Sequence, residues 1–249
     1  MSHSTIDVRS RAEISLVEHL GYRYRQHIGA LDTKGDPPSA HESGFGALRL
    51  FDDATIDPAS HVTVEAHDGF ETVVYVLEGE CVIEDDRGHA TPLGRGGAAC
   101  MVLGHGIRHE VSNPSPSAPL RVLVAAAAAP LSNPPPRLAV GPFGQETPGI
   151  GWVENHGAAT HIEGSLPVGE SVRLGIGTLD SGVELGFPRA VDRGLFVDVL
   201  EGNIELGSGF VDAGGDARVS LDAPVRLQAI TRSRLVIADV AMGYVQQLV

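Results

Sequence analysis

Short apolar runs dominate the chain from Phe45 onward. In the first half they read GALRLF, HVTVEA, ETVVYVLEG, CVIEDD, AACMVL and LRVLVAA. Runs of this length, alternating or continuous in hydrophobicity and separated by Gly, Pro and Asp, predict about six β-strands. Similar runs return later as SVRLGIGTLD, LFVDVLEGNIELG, ARVSLD, VRLQAI and RLVIADVAM. The pattern predicts an all-β protein.

In one segment the apolar residues have the spacing of a helix and not of a strand. In RAEISLVEHL, residues 11–20, the apolar residues Ile14, Val17 and Leu20 fall on one side of a helix. This spacing predicts a short amphipathic helix near the N-terminus. We assign residues 1–44 to an N-terminal extension that carries this helix.

The two halves of the chain repeat one another. VVYVLEGECVIE at residues 73–84 reappears as FVDVLEGNIELG at residues 196–207, which indicates duplication of one small β-barrel. Three prolines at 134–136 forbid a continuous helix or ladder between the halves. The expected organisation is a first barrel at 45–130, a Pro-rich linker at 131–150 and a second barrel at 151–249.

Composition and charge exclude several classes of partner. The formal net charge of −14 disfavours direct binding to nucleic acid, which needs clustered Lys and Arg. No run of about 20 apolar residues could span a bilayer, and the first 20 residues lack the pattern of a signal peptide. We therefore expect a cytoplasmic protein without a membrane partner. The sequence leaves its oligomeric state open.

Candidate chemistry lies in the first half. Glu65 and His67 are two residues apart in a β-rich run, so a regular strand would point both side chains to one face. His109 follows a glycine-rich turn, and its strand could bring the imidazole to the same place. These three residues predict a metal site. The second half has no histidine after His161, so we expect it to be a degenerate barrel.

These residues lie within motifs that resemble the pirin family of bicupins, including its quercetin dioxygenase-like bacterial members. The resemblance runs through GFGALRLFDDATIDP, HDGFETVVYVLEGE and GHGIRHEVSNPSP. It implies tandem double-stranded β-helix (cupin) barrels, and a metal bound in the first barrel by three histidines and one glutamate.

The ligand set that the resemblance implies is altered in this chain. By position, Glu65 replaces the first histidine, His67 and His109 are retained, and Val111 occupies the position of the glutamate. Glu110 would face the other side of a regular strand, although a β-bulge could turn it inward. Two interpretations remain open. Glu65, His67 and His109 form a two-histidine, one-carboxylate face for a mononuclear divalent metal, with Fe(II) favoured, or the pocket has lost its metal.

The preferred function is a metal-dependent, dioxygenase-like or isomerising enzyme acting on a small aromatic or polyketide-like molecule. Glu65 and His105 are the candidate catalytic residues; His105, which replaces an arginine of the family's turn, is either a ligand or base at the barrel mouth or an exposed turn residue. A metal-free cyclase or isomerase that uses Glu/His acid–base chemistry is the first alternative. A pirin-like regulatory module that binds a protein partner is the second.

Overall fold

A computed structural model of the chain describes residues 4–29, 44–64, 70–85, 88–102, 109–128, 137–142, 154–155, 160–168 and 171–243. These residues form 22 β-strands in four sheets, and every strand pairing is antiparallel. No α-helix occurs within these ranges, and hence none there that could cross a bilayer. The all-β prediction is confirmed.

The first half contains one large and one small sheet. Its strands, with the N-terminal ones, are β1 (Ile6–Arg9), β2 (Ser15–His19), β3 (Tyr22–Gly29), β4 (Leu48–Ile56), β5 (His61–Val64), β6 (Phe70–Glu78), β7 (Glu80–Asp85), β8 (Ala90–Gly94), β9 (Gly97–Val102), β10 (His109–Ser112), β11 (Leu120–Ala128) and β12 (Arg137–Pro142). The large sheet has the order β12-β9-β6-β11-β4-β3-β2, and the small sheet has the order β5-β10-β7-β8. These two sheets form the first barrel.

The second half repeats this arrangement. Its strands are β13 (Glu154–Asn155), β14 (Thr160–Val168), β15 (Val172–Leu179), β16 (Glu184–Phe187), β17 (Arg193–Glu201), β18 (Asn203–Leu206), β19 (Gly209–Asp212), β20 (Asp216–Ser220), β21 (Val225–Ala229) and β22 (Ser233–Ala241). The large sheet runs β1-β20-β17-β22-β15-β14, and the small one runs β13-β16-β21-β18-β19. The strand β1 therefore belongs to the second barrel, although it begins the described chain.

The predicted N-terminal helix is wrong. Residues 11–13 form a turn, and Ser15–His19 is strand β2, which pairs with β3 through a two-residue turn at Leu20 and Gly21. Gly21 adopts φ +85°, a conformation that favours glycine. Ile14 is buried whereas Leu20 is fully exposed, so the three apolar residues do not form the single buried face that would stabilise a short helix. Pairing with β3 supplies the backbone hydrogen bonds instead.

The expected linker also contains regular structure. Arg137–Pro142, within the predicted Pro-rich segment 131–150, forms β12 and pairs with β9 at the edge of the first large sheet. The run of prolines at 134–136 precedes this strand and lies outside the described residues. Proline is tolerated at an edge, where one side of the strand needs no partner. The linker prediction is therefore corrected at 137–142.

Three apolar cores hold the barrels together. One lies inside the first barrel and includes Val74, Met101 and Val111, and one lies inside the second and includes Leu195 and Leu227. The third lies between the two large sheets, with side chains from both halves of the chain. At its centre Phe51 and Phe196 have ring centroids 4.8 Å apart. Alternation along each strand sends successive side chains to the barrel interior and to this shared core.

A buried polar network interrupts the shared core. The Arg9 guanidinium forms two hydrogen bonds with the Asp216 carboxylate, and its Nε lies 2.9 Å from Asp216 Oδ1. His27 Nδ1 lies 2.9 Å from Asp216 Oδ2, and His27 Nε2 lies 3.8 Å from Asp198 Oδ1. All four side chains are buried. Strands β1 and β3 are thereby fixed to the second barrel by charge as well as by packing.

Burial and mutual charge set the protonation of this network. Burial raises the pKa of Asp198 to about 7, although His27 opposes the shift. Burial by itself lowers the pKa of His27, but Asp198 and Asp216 outweigh it and the net pKa is raised. Burial also acts to raise the pKa of Asp216, but hydrogen bonds from His27 and Arg9 bring it below its usual value. Near neutral pH, Asp216 is therefore the charged partner of Arg9, and Asp198 still holds part of its proton.

Replacing Arg9 should destabilise the protein far more than removing a surface arginine. Arg9→Ala leaves the buried Asp216 carboxylate without its bidentate partner, and we expect a loss of about 3 kcal/mol in the free energy of unfolding. Arg226→Ala, which removes an exposed pair with Glu184, should cost less than about 1 kcal/mol. Urea denaturation measures both values. Equal losses would show that the Arg9–Asp216 pair does not hold β1 in place.

The network also predicts a pH dependence. The folded protein keeps a proton on Asp198 up to about pH 7, whereas the unfolded chain releases it near pH 4. Folding stability from this group is therefore present below about pH 4 and is lost as the pH rises to about 7. His27 acts in the same direction, because its pKa is also raised.

Asp198→Asn should flatten this dependence, because an amide resembles the protonated acid and does not titrate. Between about pH 5 and pH 8 we expect the wild type to lose more unfolding free energy than the variant, by up to on the order of 3 kcal/mol. Denaturation curves at both pH values give the comparison. Parallel losses in the two proteins would assign the dependence to other groups.

Candidate functional site

His109 is the described residue of the predicted metal site. It is the first residue of β10, where it pairs with Val64 at the end of β5 and with Asp85 at the end of β7. Its side chain is 3% exposed. Because residues i and i+2 share a face of a strand, His109 points to the same side as Val111, which lies in the core of the first barrel. An imidazole is therefore directed into the barrel interior, next to three strand ends.

Asn113 explains why β10 is held in this register. Its side-chain Nδ2 donates hydrogen bonds to the carbonyl oxygens of Ile56, Asp57 and Ala118, at 3.1, 3.1 and 2.9 Å. Its Oδ1 accepts a hydrogen bond from the Ser115 backbone N–H at 3.0 Å. The side chain thus satisfies the backbone where β4, β10 and the following turn meet. A one-residue slip of β10, which would turn His109 outward, would break the bonds to Ile56 and Asp57.

The two residues after His109 have opposite orientations. Glu110 is half-exposed on the outer face, where its Oε2 lies 3.9 Å from His61 Nε2. Val111 is fully buried among apolar side chains. β10 keeps the regular register of an antiparallel strand with both neighbours, so no bulge turns Glu110 inward. At the position where the family resemblance implies a glutamate ligand, this barrel has an apolar side chain.

The other predicted site residues, Glu65, His67 and His105, lie outside the described residues. Their roles stay predictions. Within the ranges that the structure describes, no three His, Cys, Asp or Glu side chains converge closely enough to hold a metal ion. The described residues therefore fit the implied metal only partly. His109 supplies one imidazole ligand, and Val111 supplies no ligand at its position.

Asp52 is a half-buried residue with one buried carboxyl oxygen, and the sequence patterns do not single it out. In β4 it stands opposite Val124 of β11, whose side chain lies in the core of the first barrel, so Asp52 faces the barrel interior. Its Oδ1 is buried and has no hydrogen-bond partner among the described residues. Burial raises its pKa well above the usual value, with a smaller opposing effect of His27. The signal in the sequence is a charged pair, Asp52-Asp53, between the apolar residues Phe51 and Ala54.

Comparisons with known proteins agree with this architecture. Residues 31–124 match the family model described as Pirin. Over these residues the chain is similar to the pirin family. A pirin-like protein of Caulobacter vibrioides is 28% identical over 218 residues, covering 82% of this chain and 77% of that protein. The family resemblance inferred from the motifs is confirmed.

Two further comparisons concern metal and activity in other proteins. The crystal structure of the bacterial pirin YhhW from Escherichia coli in complex with nickel(II) superposes with a TM-score of 0.78 at 21% identity, covering 95% of this chain and 99% of that one. A protein of Escherichia coli named quercetin 2,3-dioxygenase is 36% identical over 72 residues, which cover 29% of this chain and 31% of that protein. The structural match shows the pirin fold, and the short match places this chain among relatives that include a dioxygenase.

Proposed function

We propose that the first barrel of this pirin-like bicupin is the catalytic half of an enzyme that uses a mononuclear divalent metal on a small aromatic or polyketide-like molecule. The observation that carries the proposal is the buried imidazole of His109, directed into the barrel where β5 and β7 end and β10 begins. Glu65, next in sequence to the strand partner of His109, and His67 would complete the ligand set. Fe(II) is the favoured metal, because two imidazoles and one carboxylate suit it.

Each residue then has a distinct task. A bound divalent metal would supply Lewis acidity toward a hydroxyl or enolate oxygen of the substrate. His67 and His109 would be neutral donors, Glu65 would be the anionic one, and His105 would move a proton at the barrel mouth. The apolar core around Val111 would exclude water from that side of the site. The likeness to a nickel-bound pirin and to a quercetin 2,3-dioxygenase, both of Escherichia coli, supports this chemistry.

Val111 also favours a second candidate function. A buried apolar residue at the position of the fourth ligand removes one of the charges that would hold a metal. A metal-free pocket would then use Glu65 and a histidine as acid and base in a cyclisation or isomerisation. Asp52, a second interior carboxyl whose pKa is raised by burial, would be protonated there and could donate a hydrogen bond.

Metal content separates the two candidates. We expect wild-type protein to bind about one divalent ion per chain, and we expect Glu65→Ala and His109→Asn to lose most of it. Glu110→Gln is the matched control, because it alters a carboxylate next to His109 that faces outward. Elemental analysis after loading with iron, nickel, manganese or zinc gives the answer. A wild type that takes up none of these metals would favour the metal-free enzyme.

A second test restores the carboxylate. Val111→Glu should lower the free energy of unfolding by on the order of 3 kcal/mol without metal, because it buries a carboxyl group in an apolar core. If the metal site adjoins this position, an added divalent ion should recover a large part of that loss. Val122→Glu, in the same core but on β11, should be destabilised without recovery. Thermal unfolding with and without metal measures all four cases, and equal responses of the two variants would contradict a metal beside Val111.

A further inference from the structure

A cleft lies on the face of the first large sheet that is turned away from the interior of the first barrel, at the border of the second barrel. It has a volume of about 380 Å³ and is lined by the N-terminal hairpin β2–β3, by β4 and β11, and by residues Leu200, Ala213 and Gly214 of the second half. A shallower depression beside it shares Arg11, Leu16 and Arg25. Four of the lining residues are arginines: Arg11, Arg23, Arg25 and Arg121.

Strand register explains how this cluster arises. Leu16 of β2 stands opposite Arg25 of β3, and Arg25 stands opposite Asp53 of β4. Two residues further along β4, Thr55 stands opposite both Arg23 of β3 and Arg121 of β11. Directly opposed residues share a face of an antiparallel sheet, so segments that are distant in sequence place their guanidinium groups on one surface.

This surface faces away from the interior of the first barrel. Asp53 stands opposite Leu123 of β11, and Leu123 packs in the core shared by the two large sheets. His109, by contrast, points into the barrel. The cleft and the candidate metal site therefore lie on opposite faces, and a ligand in one does not require a ligand in the other.

The arginines are unequally neutralised. Arg121 forms a bidentate pair with Asp53, at 2.9 and 2.7 Å, whereas Arg23 lies 3.5 Å from Asp57 in a half-exposed pair. Arg25 Nη1 donates to the carbonyl oxygens of Arg11 and Ile14, at 3.2 and 3.4 Å.

Among the residues that the structure describes, Arg25 and Arg11 have no carboxylate within ion-pair distance. Burial lowers the pKa of Arg25, and the charge of Arg11 lowers it further, more than Asp53 restores it. Asp53 and Glu18 also line the cleft. Asp53 is paired with Arg121, and within the described ranges Glu18 forms no ion pair with Arg11 or Arg25, so these two guanidinium groups face the cleft without a paired carboxylate.

Arg11 is positioned by the second barrel. A Cβ at Gly214 would come within 2.9 Å of Arg11 Cδ, and Gly214 adopts φ +80°. Only glycine avoids both the contact and the strained backbone here. The turn that precedes β20 therefore leaves room for the Arg11 side chain, which lies over it at the rim of the cleft.

We propose that this cleft binds a small organic anion, with its carboxylate or phosphate group held by Arg11 and Arg25 and its apolar part against Leu16 and Leu200. The guanidinium group matches the geometry of both oxyanions. Leu16 is 49% exposed beside the arginines, and an apolar ligand body would cover it. The volume is that of a pocket for a metabolite-sized molecule. Four arginines at one place also stand out in a chain with 18 Lys and Arg and 32 Asp and Glu.

Binding of simple probes tests the proposal. At low ionic strength we expect phenyl phosphate or benzoate to bind wild-type protein with a dissociation constant of about 1 mM or lower, in isothermal titration calorimetry. Inorganic phosphate should bind more weakly, and uncharged benzyl alcohol should show no binding at the same concentrations. The tighter of the two organic probes identifies the acidic group. Absence of binding by both up to about 10 mM would overturn the proposal.

Variants locate the site. Arg11→Gln and Arg25→Gln should each raise the dissociation constant of the organic probes about tenfold or more. Arg226→Gln, which alters an exposed arginine of the second barrel, should leave this constant unchanged. Thermal unfolding checks that each variant is folded. Leu16→Ser should weaken the binding of the organic probes and leave the binding of inorganic phosphate unchanged. Equal affinities in the Arg25 and Arg226 variants would overturn the assignment, whatever the metal content of the first barrel.

Discussion

The shared core between the two large sheets is the constraint on which the rest of the molecule depends. Each large sheet has two apolar faces, one lining its own barrel and one packed against the other sheet, so neither barrel can bury its outer face alone. Phe51 and Phe196 meet at the centre of this contact. The Arg9–Asp216–His27 network lies within it, where unpaired charges would be costly. Charge pairing and apolar packing thus fix the two halves together.

That contact makes the second barrel more than a degenerate copy. Leu200 and the turn at Gly214 form one wall of the arginine cleft, while the first barrel keeps the candidate metal site in its own interior. The second barrel shapes this surface because its outer sheet adjoins that of the first barrel.

Much of this architecture could be predicted from the sequence. The repeat VVYVLEGECVIE and FVDVLEGNIELG maps onto equivalent hairpins, β6–β7 and β17–β18, and strand alternation correctly separates the faces of His109 and Glu110. The helix at 11–20 failed because a ten-residue apolar spacing does not show whether a partner strand is available. Asp52 and the arginine cluster were missed because their environment is set by strands far apart in sequence. The pattern within one strand does not show which residues of a distant strand it pairs with.

The pairing of β1 with β20 has a consequence for how the chain is made. Arg9 and Asp216 are 207 positions apart, so β1 emerges from the ribosome long before its partner strand exists. The first barrel can close while β1 waits, and β20 presents an unpaired edge until β1 docks on it. β1 therefore cannot be seated before β20 has been synthesised, and its docking covers an edge at which nascent chains could otherwise associate.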